Sequence, residues 1–242
     1  MKYAILADIH ANLTALEAVI QDIQGRGGVD EMWCLGDIVG YGPDPRQCID
    51  LIRQRCSACV AGNHDWATIR KIGTVEFNLA AGEAIEWTRK QVRPEDVEYL
   101  ESLPLTIEIG DFTLTHGSPH DPIWEYVLSE AEARENLKSF KTRYCLVGHS
   151  HLPLLFECEK SCTLSEPADG TMIKLGKKRL IINPGSVGQP RDNDPRASYA
   201  VYNEEPGTIT LHRVKYDIAA VQLRMGTAGL PEKLIDRLVM GQ

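Results

Sequence analysis

This chain of 242 residues predicts an α/β fold built on parallel strands buried on both faces. Five short apolar runs, at residues 3–7, 32–35, 58–61, 112–115 and 144–147, are sharply bounded. Runs of that length read as strands of a sheet covered on both sides. Between residues 3 and 61 they alternate with helical patterns, the order that gives right-handed parallel crossovers. Each run also stops on residues that bind metal well: Asp8-Ile9-His10, Gly36-Asp37, Gly62-Asn63-His64-Asp65, His116, and Gly148-His149-Ser150-His151. Open α/β sheets assemble their sites at the carboxyl ends of strands, so five such endings predict a metal site.

The elements follow in order. Residues 12–25 form the first predicted helix: Asn12 caps it, Leu13, Leu16, Val19, Ile20 and Ile23 share one face, and Gly25 suits its end. A strand over 30–36, a Pro/Gly loop, a helix near 46–54 and a strand over 57–61 come next. Residues 66–103 read as mostly helical, most clearly at 83–91 and at 94–102, where Pro94 fits a first turn. This stretch carries few metal-binding residues and is expected to form a helical rim or cover. Strand signals then dominate at 107–109, 112–115, 154–157, 179–182, 199–202 and 209–213. A helix near 130–140 interrupts them, and two further pieces follow Asp217 and Pro231. There is no linker, repeat or low-complexity tract, and cutting between residues 8 and 151 would split the candidate site. Residues 1–242 are therefore expected to be a single domain.

Hydrophobic content of 43% and charged content of 25% are ordinary for a soluble globular protein. No apolar stretch reaches membrane-spanning length, and the N-terminus lacks a secretory pattern, so a cytoplasmic location is expected. Cys34, Cys59 and Cys145 sit in apolar runs as small hydrophobes. Seven irregularly spaced cysteines argue against a disulfide framework. Cys56 and Cys59, three apart, would not converge easily as half of a zinc or redox motif, and nothing in the sequence places Cys158 and Cys162 near them. The net charge of −8 and the absence of a basic stripe disfavour extended nucleic acid, and with it a nuclease. Lys177-Lys178-Arg179, the one compact basic run, reads as a solvated turn.

Asp8 and His10, like His149 and His151, are two residues apart, so on extended chain each pair would face one centre. Imidazole, carboxylate and amide oxygen without thiolate suit Mn, Fe or Zn. Seven candidates, Asp8, His10, Asp37, Asn63, His116, His149 and His151, exceed what one ion uses, so two ions sharing a ligand are expected. Singly, each has a bland reading: Asp8 or Asp37 as a helix cap, His116 as a core histidine, Asn63 as turn chemistry. Jointly they do not, because five of the seven histidines fall in one series. That series, in this order, resembles the calcineurin-like metallophosphoesterases. In addition, Asn183-Pro184-Gly185-Ser186-Val187-Gly188 is similar to a phrase in the family's small bacterial phosphodiesterase-like branch.

The resemblance implies a four-layer αββα sandwich of two mixed central sheets flanked by helices. It implies two divalent or mixed-valence metal ions, one held by Asp8, His10 and His151 and the other by Asn63, His116 and His149, with Asp37 bridging. His64 would stand beside them and protonate the leaving oxygen, as a histidine titrating near neutrality can. Two dications and two aspartates leave a net charge of about +2, which favours a phosphate despite the acidic exterior. A water shared by the ions would have its pKa brought from 15.7 toward about 7 and attack phosphorus in line. The expected substrate is a small phosphodiester or nucleotide-like molecule, dinucleoside polyphosphates included. A phosphomonoesterase or protein phosphatase, and a non-catalytic binding module on the same fold, are the alternatives.

One departure matters. The family's phosphoprotein phosphatases continue Gly-Asp-x-Val into Asp-Arg-Gly, whereas this chain has Gly40-Tyr41-Gly42, leaving His64 without its usual orienting group. Arg191 is the candidate phosphate clamp, with a surface ion pair as its other reading. His120 could touch substrate or sit exposed. His212 is expected to be structural, Asn12 to cap its helix, and Tyr41 and Trp124 to pack at the rim.

Overall fold

Strand β1 (Lys2–Leu6) shows how the layers arise. Ala4 and Leu6 face outward to helices, while Ile5 and the following Ala7 face inward to a second sheet. A strand with apolar residues on both sides has only one stable place, between two covering layers. The computed structural model describes residues 1–242, all of the chain.

The first sheet joins β1 to β2 (Glu31–Cys34), β3 (Ala58–Cys59), β9 (Met172–Lys174), β11 (Ala197–Asn203) and β12 (Thr208–Val214), in the order β3-β2-β1-β11-β12-β9. Its β1, β2 and β3 run parallel, and the remaining pairings are antiparallel. The second sheet has the order β4-β5-β6-β10-β7-β8. Its strands are β4 (Thr106–Ile109), β5 (Phe112–Thr115), β6 (Tyr144–Leu146), β7 (Pro153–Cys158), β8 (Cys162–Ser165) and β10 (Arg179–Pro184), with β5, β6 and β10 parallel. Both sheets are mixed, as expected.

Helices α1 (Leu13–Gly25), α2 (Pro45–Arg55) and α5 (Pro94–Ser102) cover the first sheet, and Leu16, Val19, Ile49, Ile52 and Leu100 pack on Leu6, Met32 and Cys34. Between the sheets lie Ile5, Trp33 and Leu35 against Leu114, Leu146, Leu155 and Ile182. Each such side chain contributes about 1.5–3 kcal/mol by leaving water. Behind the second sheet, α6 (Glu130–Asn136) and Phe140 cover Cys145, Phe156 and Ile181. Helices α7 (Ile218–Thr227), α8 (Glu232–Met240) and α4 (Leu79–Arg89) form a separate cluster around Tyr41. No helix is long and apolar enough to cross a membrane.

The structure adds to the sequence reading in some places and corrects it in others. Edge strands β8 and β9 carried no sequence signal, because each is short and half exposed. Residues 66–103 are mostly helical, as expected, through the end of α3 (Asn63–Thr68), α4 and α5, but residues 69–78 form a loop that turns at Arg70, whose φ is +64°. Arg179 is no solvated turn, since it donates to the carbonyls of Leu137, Phe140 and Thr142 and lies over the Phe140 ring. Finally, Cys158 and Cys162 are bonded across the β7–β8 hairpin while the other five cysteines are free.

Candidate metal centre

The polar endings of β1, β2 and β6 leave the strands through left-handed backbone. The φ angle is +53° at Asp8, +49° at His10, +53° at Asp37, +67° at His149 and +61° at His151. Non-glycine residues avoid this region at a cost of about 1–3 kcal/mol each, so five together mark a place where surrounding bonds dictate the backbone. Those bonds are present. His10 N–H donates to the Asp37 carbonyl (2.9 Å), and Ala11 N–H to that of Ile38 (2.9 Å). The Asp8 carbonyl accepts from Gly188 N–H (3.0 Å) and Ser186 Oγ (2.7 Å). Asn183 Nδ2 donates to the Gly148 carbonyl (2.6 Å). Residues 183–188 thus brace the Asp8 and His149 loops, and Asn12 both caps α1 and donates to the Gly188 carbonyl (2.9 Å).

This geometry corrects the extended-chain expectation. Asp8 and His10 do gather on one centre, with His151, but His149 turns to another centre with Asp37 and His116. Left-handed backbone at Asp8, His10, His149 and His151, not the alternation of an extended strand, aims these side chains. The seven expected residues are nonetheless all brought together and all buried. Asp37 lies between the two groups: its Oδ1 accepts from His64 N–H (2.8 Å), leaving Oδ2 3.6 Å from His10 Nε2 and 3.4 Å from His116 Nε2. Asp8 is built likewise, with Oδ1 accepting from His149 N–H (3.1 Å) and Oδ2 buried without a partner.

The imidazoles are set for cations. Nδ1 of His10, His116 and His151 each faces a backbone carbonyl, of Val39 (3.1 Å), Leu35 (2.9 Å) and Gln189 (2.6 Å). A carbonyl only accepts, so Nδ1 carries the proton and Nε2 of the neutral ring presents a lone pair. In His10 and His151 those Nε2 atoms face each other at 3.0 Å. Two lone pairs at that separation repel unless a positive charge lies between or beside them. Nε2 of His116 is 3.1 Å from Asn63 Oδ1 and 3.2 Å from His149 Nδ1, a second convergence of donor atoms. The residues present therefore fit metal cations.

Charges follow from burial and neighbours. Burial drives the pKa of His10 and His151 down and pushes His149 to about 3, keeping these rings neutral. Burial also opposes charge on His116, but Asp37 and Asp8 outweigh it and lift its pKa to about 9, so its Nε2 must give up a proton before that lone pair can meet a cation. Asp8 rises to about 7 by burial. Asp37, despite burial, is held low by His116, His64 and His10. For His64 the sequence pointed to titration near neutrality; burial instead pushes it to about 4, so it is neutral at pH 7.

A cavity of about 220 Å³ opens onto these groups, lined by Asp37, Asn63, His64, His149 and His151 and walled by Tyr41, Phe77, Trp124, Tyr126, Arg191 and Arg237. Arg191 makes no ion pair; it donates to Gln189 Oε1 (2.9 Å) and the Tyr41 hydroxyl (3.3 Å). Helix α4 and the preceding loop supply Ala81 and Glu76–Asn78, so part of the expected rim does border the site. His120 is exposed and His212 lies tilted against the Tyr199 ring at 5.2 Å, both away from the cavity.

The calcineurin-like phosphoesterase superfamily domain matches residues 1–207. The chain belongs to this superfamily. As a calcineurin-like phosphoesterase it is a member of a metal-dependent family, and its clustered histidines and aspartates could bind metal. It is 47% identical to a metallophosphoesterase from Sphaerobacter thermophilus, whose crystal structure superposes with a TM-score of 0.92 over 100% of this chain and 99% of that one. An uncharacterized protein of Methanocaldococcus jannaschii is 39% identical over 99% of this chain and 98% of its own length. Similarity to the symmetrical bis(5'-nucleosyl)-tetraphosphatase of Erwinia tasmaniensis is 24% over 140 residues, covering 56% of this chain and 50% of that protein.

Several neighbours of the site went unassigned in the sequence. Asp65, buried, accepts from the N–H groups of Ile38 (2.9 Å), Val39 (3.2 Å) and Gly62 (3.0 Å), tying the Asp37 loop to the Asn63 loop. Its place within Gly62-Asn63-His64-Asp65 was the available signal. His64 is oriented by shape: its ring lies against those of Tyr41 (4.3 Å), His10 (4.8 Å) and Phe77 (4.9 Å). Gly40, at φ +87°, lies so close that a Cβ there would collide with the His64 ring. In this phosphoesterase Gly40 and Tyr41 thus both pack against the His64 ring. Tyr126, stacked on His149 at 4.0 Å, and Arg237 gave no signal at all.

Proposed function

We propose that the protein is a dinuclear metal-dependent phosphoesterase acting on small nucleotide-like phosphodiesters. The observation that supports it most is Asp37 Oδ2 within 3.6 Å of ligand atoms from both clusters. On this reading Asp8, His10 and His151 hold one ion, Asn63, His116 and His149 the other, and Asp37 bridges. The ions are Mn, Fe or Zn. What they supply is Lewis acidity: water made acidic enough to attack phosphorus near neutral pH, and charge to offset that growing on the phosphate oxygens.

The chain's own groups do the rest. Backbone and residues 183–188 hold the ligands in place, so little reorganisation is needed during reaction. His64 enters neutral and offers its N–H to the leaving oxygen as a hydrogen bond. Arg191, unpaired by any carboxylate, grips a phosphate oxygen with its planar fork. A second ester group would lie on Phe77, Trp124 and Tyr126, which wall the same cavity, and this supports a diester over a monoester. The partial similarity to dinucleoside tetraphosphatases supports a nucleotide there. We further propose that residues 1–242 act as one domain, since apolar residues of both sheets share one core, and that the setting is cytoplasmic, which suits the five free cysteines.

Elemental analysis of unchelated protein, with bis-aryl and mono-aryl phosphates and a nucleotide panel, tests this. About two ions per chain and faster bis-aryl hydrolysis are expected. His64→Gln should slow turnover by roughly 10²-fold or more with metal content retained. Loaded protein inert toward every phosphate ester would sink the hydrolase reading, and faster mono-aryl hydrolysis would sink the diester preference.

A further inference from the structure

Residues 208–242 lie beyond the stretch matched by the superfamily domain, yet α8 reaches the cavity. Leu234 and Leu238 bury one face of α8 in the cluster that holds Tyr41, Ala81 and Met225. Its end clasps the loop that carries Arg191. The Gly241 carbonyl accepts from Asn193 N–H (2.8 Å), and Gln242 Nε2 donates to Asn193 Oδ1 (3.2 Å). Arg237, on the remaining face, lines the cavity together with Arg191.

Other arginines nearby are neutralised: Arg196 by Asp194 and Asp169, Arg213 by Asp192, Arg224 by Asp44. Arg191 and Arg237 pair with no aspartate or glutamate side chain. Arg191 meets only Gln189 and Tyr41, and its buried Nε has no partner. Arg237 donates Nε to the Gln242 carbonyl and pairs with no carboxylate side chain, although Glu76 lies in the same wall. Burial, and the charge of Arg191 after it, lower the pKa of Arg237, as expected of like charges brought together. Two guanidiniums lining one cavity without a carboxylate side chain to pair with favour an anion between them.

The geometry points to a second anion subsite, formed by Arg237 with Arg191, that selects substrates bearing a further phosphate next to the scissile one, as in nucleoside polyphosphates. This rests on the phosphoesterase reading above and adds to it, because a lone phosphodiester needs only the metal cluster and one clamp. Helix α8 then acts as a specificity element carried by the C-terminal region.

Arg237→Gln and Arg237→Lys, assayed on diadenosine tetraphosphate and on bis-p-nitrophenyl phosphate, test the subsite. Arg237→Gln should raise KM for the tetraphosphate roughly tenfold or more, the scale of a lost charge-assisted hydrogen bond, and at least fivefold more than for the single-phosphate ester. Arg237→Lys should recover part of that loss. Calorimetric binding of adenosine diphosphate and adenosine monophosphate gives a readout independent of turnover, with the variant losing roughly tenfold in the first and less in the second. Equal losses for one-phosphate and two-phosphate ligands, or none, overturn the subsite. Should wild type cleave neither ester while the binding difference persists, the hydrolase reading fails and the subsite stands.

Discussion

Two groups of buried aspartates face opposite electrostatic problems. Asp96 in α5 is fully buried, but Arg93 donates to it from Nη2 (2.7 Å), Nε (2.9 Å) and its backbone N–H (2.8 Å). Asp8, Asp37 and Asp65 are as deeply buried and have no lysine or arginine ion pair; only imidazoles and backbone N–H groups touch them. Desolvating an unpaired carboxylate is costly, and nature's usual remedies are a bonded cation or a metal. The α5 region carries its cation in the sequence. The strand-end region lacks one, although left-handed backbone at Asp8 and Asp37 holds their carboxylates in the interior. The difference teaches that the second region is built around charge that the chain does not itself supply.

The largest expected effect breaks this comparison at its centre. Asp37→Asn should lower kcat/KM by at least about 10³-fold, because several kcal/mol of transition-state stabilisation depend on both ions, and should release metal. Chelation of wild type should lower Tm by roughly 10–20 °C, since two ions bound at about 100-fold above Kd contribute about 2.7 kcal/mol each. An Asp37→Asn protein with full metal content and unchanged Tm on chelation would show that the aspartates balance their charge in another way.

A smaller effect separates holding an ion from shaping the loop that holds it. Asp65 touches three backbone N–H groups but none of the seven residues converging on the cavity through its side chain. Asp65→Ala should lose roughly 10–100-fold in metal affinity, as supporting partners of metal ligands typically do. Excess metal should restore most of the activity, which no concentration should achieve for Asp37→Asn. Equal failure of rescue in both variants would place Asp65 among the ligands.

What could be read from sequence divides along similar lines. The strand ends were legible because an apolar run breaking on Asp, Asn or His is a local signal, and five such breaks recur between residues 3 and 151. The buried faces followed from the same runs, and α1 from Asn12 and its five-residue apolar stripe. The directions of His149 and His151 were not legible, because left-handed φ at both residues depends on bonds to Asp8 and Gln189, distant along the chain. Phe77 sits in a loop whose path no periodicity predicts. Arg237 looks like any solvated arginine on an amphipathic helix until packing of Leu234 and Leu238 turns it toward the cavity.

The smallest effect sharpens the other side of the comparison. Burial would raise the pKa of Asp96, but its bonds to Arg93 outweigh that and hold it below the usual aspartate value. A carboxyl whose folded pKa lies below its unfolded value of about 3.9 adds stability above that pH and loses it as pH falls through the folded value. Arg93 is one-third exposed, so solvent screening limits the pair to about 1 kcal/mol. Asp96→Asn should therefore cost about 1 kcal/mol in urea unfolding at pH 7, with metal content and kcat unchanged. Below about pH 4 the gap between variant and wild type should close, because protonation then does to Asp96 what the substitution has already done. A gap that stayed constant from pH 7 to pH 3 would mean that the aspartate acts by shape and backbone capping rather than by charge. The pairing of Asp96 with Arg93 would then no longer serve as the neutralised counterpart of the strand-end cluster.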